Sequence, residues 1–189
     1  MGSFEYIFLL TSIVLAAGIE RILFGIGWVL RNRHRLKLYW VHLLWGLNVF
    51  LFLVLNWWIL YRWHTNETWT FFLAIFVLTS PIITFLLCAL LFPHHTNEIS
   101  DLKQQYYANH RWFFVLGAVL PLIDSVDTYL KGRAHFIAQG PVYFVTIPLL
   151  FSLNLVASIT KNERYHKFFA IFFLVYILVF ISLNLRMLN

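Results

Sequence analysis

The stretch Pro121-Leu-Ile-Asp-Ser-Val-Asp-Thr-Tyr-Leu-Lys131 places two carboxylates inside a long apolar segment, 112–130. A carboxylate at the centre of a hydrocarbon layer costs about 2.5–3.5 kcal/mol on insertion scales, so it normally faces a partner or a cavity. Asp124 and Asp127 are three residues apart, which puts them on one helical face together with Thr128. The stretch therefore predicts a membrane-spanning helix with an acidic face that other helices surround.

Composition supports a membrane environment. The chain has 189 residues, of which 61% are hydrophobic and only 12% are charged, and its mean hydropathy is +0.75. A soluble domain has about 25% charged residues, so a lipid bilayer is the predicted solvent and partner of this surface. The net charge of +6 comes from basic residues that cluster between apolar segments. This clustering is typical of membrane topology, and no nucleic-acid partner is predicted.

Six segments are long enough to cross a membrane as helices, which requires about 20 mainly apolar residues each. The predicted spans are Tyr6–Leu30, Tyr39–Tyr61, Thr68–Phe92, Trp112–Leu130, Phe136–Ile159 and Lys167–Leu188. The connections are short except for 93–111, which is polar and is predicted to be a loop. The predicted fold class is all-α: a polytopic integral membrane protein with one transmembrane domain, residues 1–189.

The long middle connection divides the chain into three spans and three spans. The run Phe71–Phe76 resembles the run Phe168–Phe173, and an odd number of spans in each half would make a repeat inverted, as in many transporters. Spans rich in Phe and Leu also resemble one another by chance. A 3+3 inverted repeat is therefore a hypothesis.

Lysine and arginine residues are unevenly divided between the two sides of the predicted bundle. Nine lie on one side, namely Arg31, Arg33, Arg35, Lys37, Lys103, Arg111, Lys161, Arg164 and Lys167. Four lie on the other side, namely Arg62, Lys131, Arg133 and Arg186. Because the richer side is normally cytoplasmic, we expect both termini outside, in a plasma membrane or a bacterial inner membrane.

The basic run 31–37 carries the strongest topological signal. Its cations are Arg31, Arg33, Arg35 and Lys37. A run of this kind is also suited to contact anionic lipid or a cytoplasmic protein partner.

Other polar side chains also interrupt the apolar spans. Glu20 and Arg21 are adjacent in the first span, and Arg21 shares a helical face with Gly18 and Gly25. Small residues allow another helix to approach closely, either within the chain or in a homo-oligomer. Asparagines in the second and fifth spans add to the polar set, namely Asn48, Asn56 and Asn154.

Helical rise predicts which of these charges are near each other in depth. At 1.5 Å per residue, the backbones of Arg21 and Asp124 differ in height by about 10 Å. Side chains lean toward the helix N-terminus, which closes much of this gap. We therefore expect an Arg21–Asp124 contact that Glu20 can join, and an Asp127–Lys131 pair one turn apart.

Two interpretations of the charges remain open. In the first, they are a structural ion pair that holds the first span against the fourth. In the second, two carboxylates against one arginine, with Glu20 nearby, leave surplus negative charge that binds a cation or a proton.

The histidines give weaker signals. His42 is predicted to be a hydrogen-bonded histidine inside the bundle, whereas His110 and His166 lie near span ends and are predicted to be interfacial.

Motifs for metal binding and catalysis are missing from the sequence. His94, His95, Glu98 and Asp101 share a predicted loop but lack the spacing of metal ligands, so no metal site is predicted. We find no nucleophile elbow and no phosphate-binding glycine loop. No cofactor is predicted, and an enzyme acting on lipid, quinone or haem is the least favoured class.

The leading functional hypothesis is a small channel or transporter in which Asp124 and Asp127 bind a cation or proton and Arg21 tunes them. The candidate binding residues are Asp124, Asp127, Glu20, Arg21, Asn48, Asn56 and Asn154. The alternative is a non-transporting scaffold, sensor or subunit of a larger complex, in which the buried charges are structural.

Overall fold

A computed structural model describes residues 2–66, 68–93 and 99–184. This part of the chain is all-helical, with 86% helix and no strands. It contains six helices that are long and apolar enough to cross a membrane, as the apolar segments predict.

The helices follow one another with short connections. They are α1 (Ser3–Asn32), α2 (Trp40–Leu60), α3 (Phe71–Leu91), α4 (Leu102–Leu130), α5 (Arg133–Ala138), α6 (Gly140–Ile159) and α7 (Glu163–Asn184), with a 3-10 turn at Tyr61–Trp63 after α2. The short α5 follows Gly132, whose φ is 122°, and Gly140, whose φ is 76°, begins α6. Both glycines have a left-handed backbone that other residues rarely adopt.

Helix α4 begins at Leu102, and not at Trp112 as the apolar pattern predicts, so the prediction that residues 93–111 are a loop is wrong from residue 102 onward. The Asp101 side chain caps the helix by accepting hydrogen bonds from the backbone N–H groups of Lys103 and Gln104, at 2.8 and 3.2 Å. The residues up to 111 therefore form the first turns of α4. Leu102 and Tyr106 are buried there.

The order of the helices around the bundle determines which charges can meet. Helix α1 packs mainly on α3 and α2, whereas α4 packs mainly on α6 and α3. Helix α3 therefore lies between α1 and α4. Helix α7 packs chiefly on α2.

The small residues of α1 are used for close packing inside the chain, which is one of the two uses that the sequence leaves open. A Cβ on Gly18 would lie 2.9 Å from the Leu53 side chain of α2. A Cβ on Gly25 would lie 2.2 Å from the Phe92 ring. Glycine is therefore required beside the Phe92 ring, whereas at Gly18 the end of the Leu53 side chain would have to shift to admit a larger residue.

The bundle has two chemically different ends. We call the end formed by residues 33–39, 99–101 and 160–162 the basic end, and the end formed by residues 61–66 and 131–139 the cavity end. At the basic end, Lys37 N–H donates to Ser100 C=O at 2.9 Å, and Leu102 N–H donates to Lys37 C=O at 3.1 Å. These bonds tie the basic run 31–37 to the start of α4.

Candidate functional site

A narrow cavity of about 200 Å³ lies mainly between α2, α3, α4, α6 and α7. Along α2 and the 3-10 turn that follows it, the lining extends from Trp45 to Trp63, which is about 27 Å at the rise of an α-helix. This is close to the ~30 Å hydrocarbon thickness of a bilayer. A cavity of about 150 Å³ can hold benzene, so this one has room for a small organic molecule.

The charged groups of the lining are concentrated in the part of the cavity nearest the cavity end, and we call this part the mouth. The polar residues there are Arg62, Asp124, Asp127, Thr128, Lys131, His135, Gln139 and Tyr143. Two formal positive charges and two formal negative charges cancel at the mouth. Burial, followed by the nearby cations Lys131 and Arg62, lowers the pKa of His135 below its ordinary value, so this residue is neutral at pH 7.

Asp127 is fully engaged with protein groups. Its carboxylate forms the predicted ion pair with Lys131 and accepts a hydrogen bond from Trp63 Nε1 at 2.9 Å. The Lys131 ammonium also lies 5.2 Å from the centroid of the Trp63 ring, within cation–π range. These contacts tie the end of α4 to the 3-10 turn after α2.

Asp124 has a different environment, although it lies one helical turn away. Tyr143 of α6 donates a hydrogen bond to Asp124 Oδ2 at 2.8 Å, and Thr128 Oγ1 lies 3.1 Å from the same tyrosine oxygen. The carboxylate is accessible from the cavity. Within the described ranges, no cation forms an ion pair with Asp124. Its immediate hydrogen-bond partner is the Tyr143 hydroxyl group, with Lys131 and Arg62 acting at longer range.

The first-helix charges lie outside the cavity. Arg21 is buried on the face of α1 near Cys88 of α3, whereas Glu20 is exposed on the outside of the bundle. Among the described residues, the ion pairs do not join Arg21 to Asp124. The expected contact is not made because α3 lies between the two helices.

The predicted asparagines are divided between the cavity and the core. Asn56 lines the cavity and accepts a hydrogen bond from Ser80 Oγ at 2.8 Å. Asn154 also lines it, and its amide N–H donates to Leu150 C=O at 2.8 Å. Asn48 is fully buried away from the cavity and donates to Ala170 C=O of α7 at 2.9 Å, so it links α2 to α7.

Aromatic rings close the cavity toward the basic end. The ring centroids of Phe113, Phe114, Phe169 and Phe173 each lie 5.2–5.4 Å from that of Trp45. We call these five residues the aromatic floor. The sequence does not single out these rings, because aromatic residues in apolar spans are also typical of lipid contact.

A tyrosine and histidine cluster lies between the floor and the basic end. His166 Nε2 donates to Thr160 C=O at 2.9 Å, which leaves Nδ1 to accept from the Tyr106 hydroxyl at 2.8 Å. His166 and His110 are 0% and 7% exposed. Both are therefore buried, and the prediction that they are interfacial is wrong. His42 is also 0% exposed, but neither of its ring nitrogens has a hydrogen-bond partner in the described structure, contrary to the prediction.

The described residues contain no group of three or more His, Cys, Asp and Glu arranged to hold a metal ion. Three of the loop residues considered in the sequence analysis, His94, His95 and Glu98, lie outside the described residues. Asp101 caps α4.

No protein-family model, curated protein or solved structure matches this chain.

Proposed function

We propose that the chain is a small multi-pass membrane transporter or gated channel that binds a cation or proton at Asp124. The observation that carries this proposal is the environment of Asp124, which faces an interhelical cavity, accepts a hydrogen bond from the Tyr143 hydroxyl and forms no ion pair within the described residues. A carboxylate in an apolar helix normally faces a partner or a cavity, and such groups mark substrate and ion pathways. The host membrane would be a plasma membrane or bacterial inner membrane, with both termini outside and the cavity opening outward.

The proposal assigns different roles to the two aspartates. Asp124 is the binding carboxylate, whereas Asp127 is held by Lys131 and Trp63 and fixes the shape of the mouth. Asn56 and Asn154 line the route below the mouth. The 3+3 inverted repeat stays a prediction.

The aromatic floor favours a carrier or a gated pathway over a permanently open pore. Packed rings at the inner limit of the cavity oppose free passage of water and ions. Transport in this scheme requires the rings of the aromatic floor to move apart while the mouth is closed or occupied.

Liposomes that contain the purified protein and a pH-sensitive dye test the proposal. A potassium diffusion potential would drive proton entry, and isotope uptake would measure Na⁺ and Rb⁺. We expect Asp124→Asn to reduce flux at least tenfold while the protein remains monodisperse. Glu20→Gln is the matched control, because it removes a carboxylate outside the cavity and should leave flux unchanged. Unchanged flux through a folded Asp124→Asn variant would refute the assignment of Asp124 as the binding carboxylate.

The scaffold hypothesis is the second candidate, and the basic run favours it. Its four cations are all exposed, and the run is tied to α4 through Lys37. In this case, replacing Arg31, Arg33, Arg35 and Lys37 by Gln would abolish co-purification of a specific protein from native membranes. Flux that continues in that variant, with no partner lost, would argue for the transporter.

A further inference from the structure

We infer that the cavity binds a monovalent organic ammonium ion with a compact apolar body, its ammonium at Asp124 and its body in the apolar segment toward the aromatic floor. This inference rests on the proposed function, since it names the substrate class of the same site.

The number of acceptors at the mouth matches an ammonium group. A primary ammonium carries three N–H donors. Asp124, Tyr143 and Thr128 offer three oxygens within one hydrogen-bonded cluster, with separations of 2.8 and 3.1 Å. Tyr143 can accept through its oxygen while its own hydrogen is donated to Asp124. Asp124 is the carboxylate at the mouth without a direct ion pair among the described residues, because Lys131 is paired with Asp127 and Arg62 acts at longer range.

The cavity below the mouth suits an uncharged body. Its lining includes Val77, Leu120, Leu150 and Ile177, all at most 9% exposed. Two amides at this level already bond to protein: Asn56 accepts from Ser80, and the Asn154 amide donates to a backbone carbonyl. A second charged group on the ligand would meet no charged side chain among the lining residues of this segment, because the charged lining residues are at the mouth.

The dimensions limit the size of the body. About 16 Å of helix α4 separates Asp124 from Phe113 in the floor. The volume of about 200 Å³ is somewhat larger than the ~150 Å³ that accommodates benzene. One aromatic ring on a short alkyl chain meets both limits.

A charge series with a constant body tests this inference directly. The probes are 4-phenylbutylammonium, 4-phenyl-1-butanol and 4-phenylbutyrate, which differ only at the end that would meet Asp124. Binding of radiolabelled 4-phenylbutylammonium is measured on the full chain in nanodiscs, with empty nanodiscs subtracted because the amine partitions into lipid. We expect the alcohol and the carboxylate to compete at least tenfold more weakly than the ammonium.

Variants locate the binding at the mouth. Asp124→Asn should weaken ammonium binding at least tenfold, Tyr143→Phe should weaken it severalfold, and Glu20→Gln should leave it unchanged. Equal affinity for the alcohol, or unchanged binding in Asp124→Asn, would overturn the inference. If Asp124→Asn does not fold, the probe series and Tyr143→Phe still decide it.

The outcomes separate this inference from the proposed function. Asp124-dependent flux of protons or inorganic cations without binding of 4-phenylbutylammonium would refute the ligand class and retain the transporter. Asp124-dependent binding without flux of any tested cation would retain the ligand class and refute transport.

Discussion

Gly117 of α4 approaches Asn154 of α6 so closely that a Cβ on Gly117 would lie 2.5 Å from Asn154 Oδ1. Both residues line the cavity, and they lie in the most extensive helix pair of the bundle. The spacing of α4 and α6 therefore sets the width of the cavity below the mouth.

The first prediction follows from this contact. Gly117→Ala should destabilise the bundle by about 1–3 kcal/mol, the usual cost of overpacking, and should weaken binding in the cavity. Gly27→Ala is the matched control, because nothing lies within 4 Å of a Cβ at that position of α1. Cys88 is fully buried and is the only cysteine in the chain, so its thiol reactivity on heating measures unfolding. Equal melting temperatures for the two variants would contradict the argument.

The second prediction concerns the mouth. Asp127→Asn should destabilise the protein by about 1–3 kcal/mol, below the 3–5 kcal/mol of a fully buried broken pair, because Asp127 is 20% and Lys131 10% exposed. Adding Lys131→Met should recover part of the loss, since the unpaired ammonium is then removed. Thiol reactivity of Cys88 compares the three proteins. A double variant less stable than Asp127→Asn would count against the ion pair as the cause.

The third prediction contrasts two buried histidines. His166→Leu should lower stability by about 1–3 kcal/mol, because it leaves the Tyr106 hydroxyl without its acceptor. His42→Leu should be neutral or stabilising, because neither His42 ring nitrogen has a described hydrogen-bond partner and an apolar side chain removes that cost. Thermal unfolding of both variants is the measurement. A larger loss at His42 would show that its ring is satisfied by a group outside the described residues or by bound water.

The fourth prediction is a pH dependence at the mouth. The pKa of His135 is lowered in the folded protein by burial and by Lys131 and Arg62, so the unfolded chain binds its proton more readily. The stabilisation that His135 contributes is therefore complete at pH values above the ordinary pKa of about 6.5. It is lost as the pH falls below that value.

Melting curves between pH 8 and pH 5 should therefore show a smaller acid loss for His135→Asn than for the wild type. His64→Asn is the control, because His64 is exposed at the same end. Identical acid losses in wild type and His135→Asn would exclude His135 as the source.

The features that the sequence predicts correctly are those determined along one helix. The six long apolar helices follow from the length of the apolar segments, and the Asp127–Lys131 pair follows from a spacing of one turn. The order of helices around the bundle depends on side-chain packing across the chain, and depth alone cannot supply it. For this reason, Arg21 and Asp124 lie at depths that would allow a contact, but they face different neighbouring helices.

Two features of the sequence indicate the early start of α4, but the polar composition of the segment outweighs them. Asp101 is a typical N-cap residue, and buried Leu102, Tyr106 and His110 follow at helical spacing, but the polar residues among them favoured a loop. Early initiation of α4 is what carries His110 into the bundle. Tyr143, the partner of Asp124, had no such signal, since a tyrosine near a span end is also typical of an interfacial belt.

The aromatic floor has a kinetic consequence. In the proposed transporter, a cavity closed by the floor at its inner limit exchanges its contents through the mouth, so two solutes must take turns. Passage across the bundle would then saturate with concentration, and a solute on the far side would accelerate exchange by counterflow. A linear current carried by many ions in file would not arise while Trp45 stays packed against the phenylalanines of α4 and α7.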